Sequence, residues 1–130
     1  MSASPSTILV VDAHDDSRDI YAAVLRHGGF GVVECAGWDD ALAAAEAAPP
    51  RVVVLELPLM ATSAWAALHA LKAHPRLRDV PVVGVGTTCQ PEARRGALAL
   101  GCAAYLVKPC GPLEVLAACR QWSNADVGLS

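Results

Sequence analysis

Four short apolar runs in this sequence end on residues of a different kind. Asp12 closes TILVVD (7–12), Glu56 lies near the end of RVVVLEL (51–57), Gly86 follows VVGV, and Lys108 follows AYLV. If these runs are neighbouring strands, their ends bring two carboxylates, a gap and an ammonium to one edge. Carboxylates a few ångströms apart repel unless a cation lies between them. The chain's own Lys108 is one such cation, through an ion pair with Glu56.

The elements that must position these residues are legible as alternation. Apolar runs of four or five residues (7–12, 31–35, 51–57, 80–85, 103–107) are each followed by a helical pattern (16–27, 39–47, 62–74, 90–100, 112–122). Runs without polar alternation suit strands buried on both faces, and their alternation with helices implies a parallel sheet covered on both sides. Asp16 or Ser17 is the expected cap of the first helix, with Ile20, Val24 and His27 at helical spacing, and Gly28-Gly29 ends it. Trp65, Leu68 and Leu71 share a face of the third helix. Pro112 opens the last helix, which is expected to end near Trp122. In open sheets of this kind, ligands gather at the carboxyl ends of the strands, where the four residues above lie.

Composition narrows the classes. The chain has 130 residues, one domain's worth, and 54% of them are apolar. A domain of that size buries about two-thirds of its unfolded surface, so it needs no disulfide staples. Ten basic against thirteen acidic side chains give −3, which offers no basic field for nucleic acid or an anionic membrane. Disorder, collagen and a membrane span are excluded. The N-terminus lacks a signal peptide's basic segment, so a cytoplasmic location is expected. Cys35, Cys89, Cys102, Cys110 and Cys119 are odd in number and form no C-x-x-C pair, which reads as reduced, mostly buried thiols. They and His14, His27, His69 and His74 show no zinc-ligand spacing. The division expected is an N-terminal tail (1–6), one domain (7–122) and a C-terminal tail (123–130), with little room for a separate output domain.

Four stretches resemble the receiver domain of two-component response regulators. ILVVDAHDDSR resembles that family's first strand and loop, ILVVDD-x-x-D-x-R. RVVVLELPLMATSAW resembles its third, and VPVVGVGTT its fourth. GCAAYLVKPCGPLEVL resembles the signature G-A-x-x-Y-L-x-K-P-F-x-x-x-E-L. The resemblance covers residues 7–122. It implies an α/β, flavodoxin-like (βα)5 three-layer sandwich whose five-stranded parallel sheet has the order 2-1-3-4-5. It also implies phosphoryl transfer to an aspartate, with Mg²⁺ held by acids at the first strand's end and the phosphoryl group held by a strand-four hydroxyl and a lysine.

Position by position, the sequence departs from that chemistry. Asp12 matches the first acid and Lys108 the lysine, but Ala13 stands at the direct metal ligand. Glu56 stands at the phospho-acceptor and Gly86 at the hydroxyl residue, with Thr87 one place later. Met60 and Ala61 replace the residues usual after strand three, and Ser63-Ala64 replaces Asp-Gly. Glu56 places its carboxylate roughly 1 Å farther out than aspartate would, a misplacement that can cost about a hundredfold. The departures imply a pseudo-receiver: no catalytic residues, no enzyme activity, no resident cofactor. Mg²⁺ enters only if Asp12 and Glu56 form an irregular site. Asp15 and Asp16 read as solvated charge and cap, with substitute metal ligation the lesser alternative, and His14 as a loop residue rather than a phospho-acceptor.

Function then rests on surface. The resemblance assigns signalling to the face of helix four, strand five and helix five, where Tyr105 turns inward on activation. With Gly86 leaving that space open, an inward Tyr105 is one reading and a half-exposed ring without a switch role is the other. The implied partner is a histidine kinase or a downstream regulator, with a homodimer through the same face as a further reading. Arg94, Arg95, Glu114 and Arg120 are paired across such a dimer or simply solvated. Trp38 and Trp122 close the core's ends or anchor a partner. Lys108-Pro109 is implied to be cis. The alternative to a pseudo-receiver is a working phospho-acceptor with an irregular Mg²⁺ site; a small-molecule enzyme lacks the G-x-G-x-x-G or G-x-S-x-G it would need.

Overall fold

The computed structural model describes residues 6–58 and 62–128. The substitutions at Met60 and Ala61 and most of the expected N-terminal tail lie outside the described residues. Strands β1 (Thr7–Val11), β2 (Gly31–Cys35), β3 (Val52–Glu56), β4 (Val82–Gly86) and β5 (Ala104–Val107) alternate with helices α1 (Asp15–His27), α2 (Trp38–Ala47), α3 (Thr62–Ala73), α4 (Pro91–Ala99) and α5 (Pro112–Gly128). All the strand pairs are parallel, in the order β2-β1-β3-β4-β5. No helix of the described residues is long and apolar enough to cross a membrane.

Strand periodicity explains why the runs carry no polar alternation. Side chains two apart share a face of a strand. Leu9, Val11, Val53 and Leu55 therefore face one way, into a core with Ala41, Ala45, Leu68, Leu71 and Ala97 of α2, α3 and α4. Ile8, Val10, Val52, Val54, Val83 and Val85 face the other way, against Tyr21 and Leu25 of α1 and Val115 and Cys119 of α5. Each fully buried Leu, Ile or Val adds about 1.5–3 kcal/mol of transfer free energy, so register is fixed from both faces at once. Gly29 and Gly101, at φ +100° and +110°, end α1 and α4 in the left-handed region, where other residues meet Cβ strain.

Three expectations are corrected. The first helix begins at Asp15, and His14 takes the N-cap place with no side-chain cap bond. Asp16 and Ser17 fall inside the first turn, where the Asp16 charge meets the helix dipole instead of capping an orphan N–H. The buried stripe of α1 is Tyr21, Ala22 and Leu25; Ile20 is half exposed. The chain does not fray at Ser123, because α5 continues to Gly128. No helix breaker precedes that glycine, Arg51 donates to the Ser123 carbonyl, and Ser123 itself is buried. Trp38 and Trp122 are partly buried and pack at the edges of the two cores.

Candidate functional site

Parallel pairing sets the strand ends side by side. The Asp12 N–H donates to the Cys35 carbonyl just beyond β1, and the Lys108 N–H donates to the Gly86 carbonyl at 2.7 Å. Glu56 is the last residue of β3, adjacent to β1. Lys108 belongs to the β5 edge, yet its side chain spans the end of β4. Its Nζ donates to Glu56 Oε2 at 3.1 Å and to Asp12 Oδ2 at 3.2 Å. The ion pair thus engages both acids.

The remaining oxygens are occupied as well. Glu56 Oε1 accepts the Ala13 backbone N–H at 3.1 Å, and Asp12 Oδ1 accepts that of His14 at 2.8 Å. The His14 ring comes in from the solvent side, with Nδ1 2.8 Å from Glu56 Oε2 and 3.2 Å from Asp12 Oδ1. Arg18 ties the turn down by donating to the Asp12 carbonyl at 2.8 Å. Asp12 and Glu56 are 3% and 6% exposed, Lys108 17% and His14 64%. Among the described residues, every buried side-chain nitrogen or oxygen has a hydrogen-bond partner.

Electrostatics follow the geometry. Burial pushes the Glu56 carboxyl up, but the Lys108 and Ala13 hydrogen bonds and the nearby Lys108 charge outweigh it and hold the group below the ordinary carboxylate value. Burial pulls the Lys108 ammonium down, and its bonds to Glu56 and Asp12 lift it above the ordinary lysine value. The two therefore stabilise each other's charged forms. A cavity of about 150 Å³ opens beside them, lined by Asp12, Ala13, Trp38 and Glu56 over an apolar floor of Val11 and Leu55.

A paired-acid pocket at this edge of a 2-1-3-4-5 sheet has known counterparts. The sequence profile of the response regulator receiver domain matches residues 8–120. The chain belongs to the response regulator receiver family. It is 31% identical over 110 residues to the phosphate regulon transcriptional regulatory protein PhoB of Escherichia coli, covering 85% of this chain and 48% of that protein. It is 27% identical over 118 residues to an uncharacterized 14.6 kDa protein of Leptolyngbya boryana, covering 91% and 90%. The receiver thus spans about half the length of the one relative and nearly all of the other. Among solved structures, the receiver domain of NtrX from Brucella abortus superposes with a TM-score of 0.82 at 27% identity, over 91% of this chain and 98% of that one. A putative response regulator from Chloroflexus aurantiacus gives 0.84 at 22%, over 92% and 98%, which speaks for the fold alone.

The metal that the resemblance implies does not fit this receiver's donor set. Mg²⁺ requires near-ideal octahedral oxygen geometry and gives up its waters reluctantly. Here Ala13 supplies no side-chain oxygen, Lys108 is bonded to both carboxylates, and the third atom facing them is an imidazole nitrogen. Lys108 Nζ, the Ala13 N–H and His14 Nδ1 each lie within 3.1 Å of one of the two Glu56 oxygens.

The second part of a receiver's site lies one strand over. Gly86 ends β4, and Tyr105 projects from the adjacent β5. The Tyr105 ring is turned inward and only 3% exposed. Its hydroxyl donates to the Thr88 carbonyl at 3.2 Å, and burial raises the phenol's pKa. A Cβ built on Gly86 would overlap that hydroxyl, so the ring occupies the space a residue-86 side chain would need. Thr87 is exposed and lines a separate cavity with Ser17, Tyr21 and Lys108, away from the cavity beside Glu56. The Lys108-Pro109 peptide is cis.

His14, read from the sequence as a loop residue, instead lays its ring against both acids. Periodicity sees only a polar loop residue there. Its signal was the Asp-x-His spacing at a strand's carboxyl end, where an aspartate accepting the backbone N–H two residues on folds the next side chain back over itself.

Proposed function

We propose that this receiver works as an interaction module of a two-component system, with its surface held in one state and without phosphorylation at position 56. The single observation that carries the reading is the Gly86–Tyr105 pair. In a switching receiver the space beside residue 86 must be empty in one state and filled in the other. Here the aromatic fills it, with a hydrogen bond to Thr88, and position 86 has no side chain with which to compete or to grip a phosphoryl group. The acidic pocket supports the same reading, since Lys108, His14 and the Ala13 N–H already engage the acids that would receive phosphorus and metal.

The face that would carry the signal is made by α4, β5 and α5. Arg94 of α4 donates to the Tyr105 carbonyl at 3.1 Å, which links helix and strand behind the inward ring. Leu98 at the end of α4 and Leu113 at the start of α5 are exposed at 43% and 70%. In this reading the partner is a histidine kinase or a downstream regulator, the module needs no cofactor and catalyses nothing, and it acts in the cytoplasm.

Incubation with acetyl phosphate and Mg²⁺, read by intact mass, tests the proposal. The expected result is no stoichiometric phosphoryl adduct. A stoichiometric adduct that Glu56→Gln abolishes would overturn it.

A further inference from the structure

We propose that Arg26 guards the open edge of the sheet, and that without it the chain pairs with a second copy of itself, strand to strand, through β2. The inference goes beyond the signalling role above and is tested by assembly, not by phosphorylation. It starts from the direction of the β2 backbone. β2 ends the sheet, with β1 as its neighbour. In a parallel ladder alternate residues of an edge strand bond to the neighbour and the others face out. The Gly31 N–H donates to the Ser6 carbonyl and the Asp12 N–H to the Cys35 carbonyl, so Gly31, Val33 and Cys35 bond toward β1. Val32 and Glu34 therefore turn their backbone groups outward. Such a row is a template for another strand.

Arg26, in the last turn of α1, lies across that row. Its Nη2 donates to the Val32 carbonyl at 3.3 Å, and its Nη1 holds Glu34 Oε2 at 3.0 Å. One side chain thus takes an outward acceptor of the edge and ties down the charged side chain beside it. The opposite edge of the sheet, β5, repeats the device. The Lys108 N–H donates to the Gly86 carbonyl, so Leu106 and Lys108 bond toward β4 and Tyr105 turns its backbone outward. Arg94 of α4 donates to that Tyr105 carbonyl at 3.1 Å. Each edge is met by an arginine of the flanking helix, placed where the donor of an added strand would have to come.

The edge under Arg26 is self-complementary, which is why the occupant is a second copy. Two β2 strands related by a two-fold axis through Val33 run antiparallel, with Val32 of each opposite Glu34 of the other. These are outward-facing residues on both sides, so each such pair exchanges both of its N–H···O bonds. Val33 is 40% exposed and meets its counterpart on the axis, in the close, non-hydrogen-bonded position. The two Glu34 carboxylates fall on a diagonal, where like charges are not face to face. A two-fold contact of this kind closes on itself as a dimer. Arg26 opposes it by holding the Val32 carbonyl that the second strand would need.

The test compares Arg26→Ala with the wild type by size exclusion with light scattering, over a wide range of concentration, and by amide hydrogen exchange. The expected result is a mass for Arg26→Ala that rises with concentration toward about twice the wild-type value. The Val32 and Glu34 amides should exchange about tenfold or more slowly at the high end than at the low end. Adding Val33→Lys should restore the wild-type mass, because two lysines then meet on the axis. A mass equal to that of the wild type at every concentration would overturn the proposal, and so would association that Val33→Lys leaves unchanged. Arg26 is 51% exposed, so its truncation leaves both cores intact. Glu34→Gln loosens the same guanidinium without truncating it and should raise the mass in the same direction by less, which decides the matter if Arg26→Ala fails to fold.

Discussion

The carboxyl edge of the sheet holds two hollows one strand apart, and the chain has filled them in opposite ways. At the ends of β1 and β3, buried acids are met by an ammonium, an imidazole and two backbone N–H groups. At the end of β4 a missing side chain is met by an aromatic ring. The first hollow is closed by charge and so depends on pH. The second is closed by shape and does not. In a receiver these are the places where phosphoryl chemistry enters and where it is read out. In the proposed reading, filling both from within separates the fold from its usual input while leaving its outer surface intact.

Variants can break each closure separately. The largest effect is expected for Lys108→Met, which leaves Asp12 and Glu56 facing each other without their cation. Removing one partner of a buried pair costs about 3–5 kcal/mol, and the residual exposure of Lys108 puts this case near the lower end. Chemical denaturation measures it. Next comes Gly86→Ala, which sets a methyl group against the Tyr105 hydroxyl and should cost about 1–3 kcal/mol as overpacking. The loss should shrink in a Tyr105→Phe background, because contacting residues give non-additive energies.

The pH dependence sharpens the contrast further. Glu56 sits below the ordinary carboxyl value of 4.5 when folded. Its contribution is therefore present above that value and is lost as pH falls through the folded pKa. Lys108 sits above 10.5, so its contribution is full below that value and lost only as pH rises through the folded pKa. Thermal midpoints should thus be flat with respect to this pair between those limits and fall on the acid side, and Glu56→Gln should flatten the acid limb. The smallest effect is expected for Tyr105→Phe alone. It removes one neutral hydrogen bond, worth about 0.5–1.5 kcal/mol, and should leave the acid limb unchanged.

The sheet was legible because buried strands advertise themselves. Val52 to Leu55 and Ile8 to Val11 have no polar member, which only a strand covered on both faces tolerates. The pocket's acids and lysine were legible for the same reason, since each ends such a run. What the sequence hid was rotation and reach. One residue decides whether Ile20 or Tyr21 faces the core, and apolar spacing in α1 permits both. His14 was hidden because its position follows from a backbone N–H bonding to Asp12, a contact no periodicity encodes. The extent of α5 was missed because a polar tail reads as coil when its anchor, Arg51, is 72 residues away.

The most direct measurement is an NMR titration of the protein with beryllofluoride and Mg²⁺, following Tyr105 and the backbone amides of α4, β5 and α5. These resonances are expected to stay where they are, because the ring already fills the space beside Gly86 and the acids already hold Lys108. Saturable shifts of Tyr105 and that face, abolished by Glu56→Gln, would contradict the proposal.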